Sequence, residues 1–577
     1  MEKMIIDRDV PIPMEDGISL RADIYRPKDE KPAPVILTMG PYGKGLPWRV
    51  GYKPQWDALI QAHPDILAES SKEFMVWEVV DPEIWTSWGY VCIRIDSRGA
   101  GCSPGYLDVF SPQETKDLYT AIEWAGVQPW STGKVGLSGI SYFAINQWLV
   151  ASLQPPHLTA MIPWEGAADF YRDMTRHGGI LSNAFLDLWY GRQVVSVQHG
   201  NPAAPHDPWR DDLVSGSRAM VLSPEQLKAN RSDPVQAGLS RPLDSEFYRT
   251  RSADWSKVTV PFLSCASWGG YGLHARGNFE AFTQAASKQK WLECHPGKHE
   301  EWFYVNYGLD IQKRFLDHFL KGEQNGWDKE APVSLVIRRP FSTDFVALRQ
   351  EHSWPLERTE WTSVSLAAAS RKLSWSRVSS DTTEQVQFAA LGDPVTFMSE
   401  PLEQEVEITG PLAAKIFASS STADMDLFLT FQAFSPDGKE VEFQGSLDPH
   451  TPLAQGWLRA SHRKLDPVKS TPYRPYHTHD EIQPLEPGKV YELDVEIWPT
   501  HIILPAGFTI ALQIGGKDFK RPTEKDMGGG AWLASGSGPF LHTHPEDRPA
   551  SIFGGNTTIY TGGDTPSSLL LPIIPRQ

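Results

Sequence analysis

Cysteine is scarce in this chain: Cys92, Cys102, Cys265 and Cys294 are the four among 577 residues. None forms a C-x-x-C pair, so no disulfide framework and no cysteine-built metal centre is expected; the four read as buried apolar thiols. Long apolar runs are missing too. No segment reaches the ~18 uninterrupted apolar residues of a membrane span, and residues 1–8 carry no apolar block of signal-peptide length. Positive charge is in deficit. Lys and Arg number 54 against 71 Asp and Glu, a net charge of −17, which argues against nucleic acid and anionic membrane surfaces as partners. The expectation is a cytoplasmic protein. Repeats of fixed period and low-complexity tracts are also missing.

What is present is a globular composition, 40% apolar and 22% charged, long enough for several domain-sized units. The chain is organised around residues 134–148. Val135 and Leu137 alternate with small residues as a short buried strand, Gly139-Ile140-Ser141 forms a tight turn, and Tyr142 to about Leu153 reads as a helix stopped by Pro155-Pro156. Strand, Gly-x-Ser turn and helix make a nucleophile elbow, which presents Ser141 Oγ beside the amides of a helix N-terminus. Ser138 also follows a Gly-x pattern but falls inside the strand. The second glycine of the usual elbow is replaced by Phe143.

Around this elbow, buried strands at 34–39, 90–95, 158–163, 258–266 and 290–295 alternate with helical stretches at 115–127, 275–286 and 309–320, which predicts a parallel sheet flanked by helices. Residues 170–255 break the alternation and are positioned as a helical cap over the carboxyl edge of the sheet. A polar linker, 321–332, precedes short alternating stretches divided by Pro-Gly and Asp-Gly turns, the texture of an all-β sandwich. The expected division is a core of 1–169 and 256–325, a cap of 170–255, and a β domain of 333–577.

A serine hydroxyl needs a base. In this topology the base follows the last core strand, where His299 fits and His295, at the strand's end, is the rival. His477-Thr478-His479 and His542-Thr543-His544 could place paired imidazoles on one face, but no carboxylate or cysteine is tied to them by spacing, and they read as polar loop residues; no metal is expected. Asp96-Ser97-Arg98-Gly99 reads as a loop fixed by ion pairing.

Together the motifs resemble those of the cocaine-esterase and X-prolyl dipeptidyl-peptidase family, which includes the α-amino-acid ester hydrolases. They are Gly139-Ile140-Ser141-Tyr142-Phe143-Ala144, Pro41-Tyr42-Gly43-Lys44, Asp96 to Ser103, and Pro566-Ser567 followed by Leu571-Pro572. The resemblance covers nearly the whole chain. It implies an α/β-hydrolase core with a helical cap insertion and a C-terminal jelly roll, Ser141 as nucleophile, His299 as base, and an oxyanion hole of the Tyr42 hydroxyl and the Tyr142 N–H. It implies no cofactor.

One position departs from the family. The acid normally follows Gly-Trp-x-Asp, and here Ser267-Trp268-Gly269-Gly270 puts Gly270 in its place. Glu165, at the exit of the neighbouring strand, is the expected substitute, with Asp169 second. Phe170, Tyr171, Trp189, Tyr190 and Trp209 of the cap are expected to shape an apolar substrate pocket. The function expected is hydrolysis of a small-molecule ester or amide through an acyl-enzyme. The rivals are an X-Pro dipeptidyl aminopeptidase and a catalytically degenerate binding protein. At most the chain partners further copies of itself.

Overall fold

The computed structural model describes residues 4–342, 348–376, 382–521 and 536–576. Ten strands form the first sheet: β1 (Ile5–Pro13), β2 (Ser19–Arg26), β3 (Ala33–Gly40), β4 (Val91–Asp96), β5 (Ser131–Ile140), β6 (Leu158–Trp164), β7 (Phe262–Ser267), β8 (Lys290–His295), β9 (Val333–Val336) and β10 (Leu348–Glu351). Their order is β1-β2-β4-β3-β5-β6-β7-β8-β9-β10. Pairing is parallel from β4 through to β9 and antiparallel at β1, β2 and β10.

The helices that cover this sheet are α1 (Pro112–Gly126), α2 (Tyr142–Ala151), α3 (Ala275–Gln284) and α4 (Asn306–Leu316). Period-two alternation sorts the strand residues between two cores. Val35, Leu37 and Met39 pack with Leu118 and Ile122 of α1 and Trp148 of α2, whereas Ile36 joins the cluster holding Phe315 and Leu316 of α4. Strands buried on both faces read as unbroken apolar runs, and each fully buried Val, Leu or Ile contributes about 1.5–3 kcal/mol. Helix α1 starts earlier than its apolar stripe suggests because Ser111 caps it, accepting from Glu114 N–H at 3.1 Å, with Pro112 in the first turn.

Residues 170–255 contain short helices (Asn183–Trp189, Pro224–Ala229, Pro234–Leu239, Glu246–Arg249) and two small β pairs, Arg176–His177 with Ile180–Leu181 and His206–Asp207 with Asp212–Leu213. Residues 333–351, taken from sequence as the opening of the β domain, extend the edge of the first sheet. Val333 and Leu335 of β9 are buried with Trp268, Phe279 and Leu292, so the apolar edge of β8 is covered.

From Glu360 to Ile574 runs a second sheet of eleven strands. Its longest members, Val406–Ser420 and Tyr491–Leu504, pair antiparallel. Val406–Ser420 also pairs with Ser568–Ile574 at the far end of the strand order, so the sheet closes on itself and loses most of its open edge. Leu412, Ala414, Ile416 and Ala418 point into its core. Among the described residues no helix is long and apolar enough to cross a membrane.

Candidate active site

Ser141 stands between β5 and α2 with φ +56° and ψ −112°, a strained conformation that aims its side chain away from both elements. Its N–H donates to Trp164 O at 3.0 Å. Phe143 replaces the elbow's second glycine because its neighbours are small. A Cβ on Gly40 would lie 2.6 Å from Phe143 Cε1, and one on Gly139 would lie 2.5 Å from Phe143 Cβ. Ser138 is buried in β5 and bonds to Gln312 Oε1 at 3.2 Å.

The residue against Ser141 is His274, which the sequence reading did not single out: Ser141 Oγ and His274 Nε2 are 3.1 Å apart. His274 sits in the turn between β7 and α3. Its N–H donates to Gly270 O at 2.9 Å, and a Cβ on Gly270 would come within 3.1 Å of His274 Cβ. The glycine that displaces the family's aspartate therefore allows the tight turn that brings His274 inward. His299 lies behind, its ring stacked on that of His274 with centroids 4.6 Å apart.

Glu165 and His299 are brought together as expected partners, Glu165 Oε2 to His299 Nδ1 at 2.8 Å. His299 and Ser141 are not: His299 Nε2 is engaged by Glu78 Oε1 at 3.0 Å, and no hydrogen bond joins it to the serine among the described residues. His295 contacts the other oxygen of Glu165 at 3.0 Å and Glu293 at 2.8 Å. Asp169, the second choice for the acid, caps the turn that follows it and pairs with Arg172 at 2.9 Å. Glu78 carried no sequence signal; its carbonyl accepts the Ile140 N–H at 3.0 Å, which ties it to the elbow strand.

This cluster is electrostatically tight. Burial alone would push the Glu165 carboxyl up, but His299 and His295 outweigh it and hold the group well below the usual carboxylate range. Burial would lower His299, yet Glu165 and Glu78 drive it up to about 10. His295, between Glu293 and Glu165, rises to about 9 in the same way. His274 moves oppositely, to about 3, through burial first and then the neighbouring charge on His299, and its Nδ1 has no hydrogen-bond partner among the described residues. The donor atoms of Glu165, His274 and His299 lie within 4.8 Å of one another, so these three could converge on a divalent cation. In this structure Glu165 is satisfied by protein donors.

A pH dependence follows. The unfolded chain loses the His299 and His295 protons near pH 6.5, the ordinary histidine value, and the folded chain keeps them to about 10 and about 9. Their stabilisation is complete below pH 6.5 and is lost as pH rises through the two folded values. The urea midpoint is expected to fall between pH 7 and pH 10; a constant or rising midpoint would deny that these imidazoles are charged.

Tyr42 reaches the site on a loop held by Asp96, which accepts the Lys44 N–H at 2.6 Å and approaches Lys44 Nζ at 3.3 Å. Arg98 of the same motif pairs with Asp117 at 2.7 Å. The Tyr42 oxygen accepts from Trp189 Nε1 at 2.9 Å, which leaves its own proton free to donate. Tyr142 begins α2, and its hydroxyl donates to Glu114 at 2.7 Å. Of the aromatic residues of 170–255, Trp189 stacks over Tyr142 at 6.1 Å and Phe170 meets Phe110 edge-on at 5.9 Å. The Tyr171 and Tyr190 hydroxyls donate to Pro242 O at 2.6 Å and Ser232 O at 2.7 Å. Trp209 lies against Phe74 at 5.9 Å and beneath Arg8 at 4.7 Å. The histidines of the His-Thr-His runs are engaged in part: His479 meets His462 at 3.0 Å, and His542 meets Asp518 at 2.6 Å and His177 at 2.9 Å. All four cysteines are free and buried.

Comparison with known proteins places the whole chain beside hydrolases. Residues 16–301 fit the X-Pro dipeptidyl-peptidase (S15) family, and residues 325–570 fit the X-Pro dipeptidyl-peptidase C-terminal non-catalytic domain. The cocaine esterase of Rhodococcus sp. (strain MB1 Bresler) is 24% identical over 98% of both chains. The Xaa-Pro dipeptidyl-peptidase of Lacticaseibacillus casei (strain BL23) is 20% identical over 87% of this chain and 71% of its own. A solved CocE/NonD family hydrolase from Staphylococcus aureus is 31% identical, with a TM-score of 0.84 over 100% of this chain and 94% of its own. The chain belongs to the CocE/NonD family of serine hydrolases, with an S15-type hydrolase part followed by its C-terminal companion domain.

Proposed function

We propose that the chain hydrolyses carboxylic esters of small molecules through an acyl-enzyme on Ser141. The observation that carries this reading is the 3.1 Å contact between Ser141 Oγ and His274 Nε2 at the strand-to-helix turn. His274, held neutral by its surroundings, takes the hydroxyl proton as Oγ attacks the carbonyl carbon. The tetrahedral oxyanion receives the Tyr42 O–H and the Tyr142 N–H, each donor being worth about 3 kcal/mol. Collapse breaks the ester C–O bond, and the leaving alkoxide recovers the proton from His274. Water then repeats the sequence and releases the acid. Burial and the charge on His299 oppose the transient His274 imidazolium, and the anionic Glu165 beside the two rings offsets part of that opposition.

A second assignment makes His299 the base, oriented by Glu165. Its support is the 2.8 Å bond from Nδ1 to the carboxylate, the arrangement of a triad acid; it requires Nε2 to leave Glu78 and to give up the proton that Glu78 and Glu165 hold on the ring. The reading treats residues 170–255 as a cap over the serine, supported by the Trp189–Tyr42 bond, and the closed C-terminal sheet as a jelly roll. Ester cleavage is favoured over X-Pro peptide cleavage by the resemblance to named esterases.

The test is labelling with a fluorophosphonate probe, peptide mapping, and turnover of aryl esters against Xaa-Pro-anilides. The expected result is a single adduct on Ser141 and a preference for esters of at least tenfold, about 1.4 kcal/mol. A preference for the anilide would make the chain an aminopeptidase, and the lack of both adduct and turnover would make it a degenerate binding protein.

A further inference from the structure

We propose that the C-terminal β domain completes the catalytic centre, with Ser446 as a positioning residue for Glu165. The inference rests on the reading of Ser141 as nucleophile and of Glu165 as the carboxylate that orients His299 and favours the transient imidazolium. Ser446 lies between the strands Asp426–Phe434 and Ala454–Arg459 of the β domain and is buried. Its Oγ donates to Glu165 Oε2 at 2.8 Å. The same oxygen is bonded to His299 Nδ1 at 2.8 Å.

The backbone of Ser446 is used as well. The His299 N–H donates to Ser446 O at 3.1 Å, and the Ser446 N–H donates to Gly269 O at 3.2 Å. One residue of the β domain thus touches the acid after β6, the turn after β8 that carries His299, and the turn after β7 that leads to His274.

The approach depends on two facing glycines. A Cβ on Gly269 would stand 2.4 Å from Gly445 Cα, and one on Gly445 would stand 2.8 Å from Gly269 O. The loop is itself anchored: Gly445 N–H donates to Asp448 O at 2.8 Å, and Asp448 Oδ2 accepts from Gly536 and Gly538 N–H at 2.7 and 2.9 Å.

The chemistry needs this donor. A buried carboxylate that serves two imidazoles is fixed in rotation only if its lone pairs are directed, and a hydrogen bond to a charged group is among the stronger ones. Without the Ser446 hydroxyl, Oε2 keeps one fewer donor, and the carboxylate, still held at Oε1 by His295, can turn about that bond and carry the Nδ1 side of His299 with it. That turning would misplace the ring stacked on His274.

The experiment uses the full chain with Ser446→Ala, Ser446→Thr and Ser446→Cys, an aryl ester and the fluorophosphonate probe. For Ser446→Ala, kcat and the labelling rate are expected to fall about ten- to a hundredfold, with KM within about twofold because Ser446 acts through Glu165. Ser446→Thr should restore most of the loss. Should Ser446→Ala fail to fold, Ser446→Cys, a weaker donor of similar shape, should show a smaller drop in kcat. Wild-type kcat in Ser446→Ala or Ser446→Cys would overturn the proposal. So would a loss that follows the fall in melting temperature and is not rescued by threonine. If the unmodified chain fails to label at Ser141, or Glu165→Gln turns over normally, the underlying site reading is what fails.

Discussion

Replacing His274 by alanine is expected to lower kcat by about 10²–10⁴, the usual contribution of a positioned general base, with little change in KM. Among the described residues the imidazole is the group within hydrogen-bond reach of Ser141 Oγ, and its Nδ1 has no partner that a substitution would strand. The folding penalty should therefore be small relative to the catalytic one. His299→Ala removes a different function, since His299 neutralises Glu165 and Glu78 rather than touching the serine. Steady-state kinetics and probe labelling of both variants separate the assignments. A His274→Ala enzyme within a few-fold of the parent, beside an inert His299→Ala enzyme, would give the base role to His299 and require its Nε2 to leave Glu78 during turnover.

The second large effect is expected at Glu165. Glu165→Gln keeps the shape of the side chain but removes the charge shared by two imidazoliums, His299 at 2.8 Å and His295 at 3.0 Å. Taking one member from a buried ion pair destabilises by about 3–5 kcal/mol, so the urea midpoint should fall well below that of the parent at pH 7. The deficit should shrink toward pH 10, where His299 and His295 give up the protons that made the carboxylate necessary. With His274 as base, Glu165 acts on it through charge alone, and a loss of about ten- to a hundredfold in kcat is expected; a loss near the ~10⁴ of a neutralised triad acid would give the base role to His299, which is the ring Glu165 is bonded to. Near-native turnover in a folded Glu165→Gln chain would remove Glu165 from the mechanism.

Some of this site is legible in the sequence because it is local. Ser141 is announced by a strand, a Gly-x-Ser turn and a helix in fifteen residues. Glu165 is suggested by the lack of an acid at Gly270 together with its place at the exit of the neighbouring strand. His274 is not announced, although it lies four residues beyond Gly270, because its inward turn depends on the room a glycine leaves in three dimensions. Glu78 and Ser446 reach the cluster from segments with no motif.

The same distinction governs the fold. The central strands are apolar runs and could be read directly. β9 and β10 could not, because each is only four residues long and their pairing is long-range. The small β pairs in 170–255 are two residues long, too short for any period to register. Tyr171 and Tyr190 belong to an aromatic-rich segment, but composition does not reveal that their hydroxyls are directed to the carbonyls of Pro242 and Ser232.

Three residues around the cluster, Ser141, Glu78 and Glu165, have φ of +56°, +65° and +47°, a region side chains enter at a cost of about 1–3 kcal/mol apiece. Glycine would relax the backbone at each of them and delete the group that the turn was bent to present. At Glu78 and Glu165 the same change would strand the charge on His299, but at Ser141 a search for hardier variants by random mutation should meet an attractive trap: chains that survive heating better and have lost their chemistry.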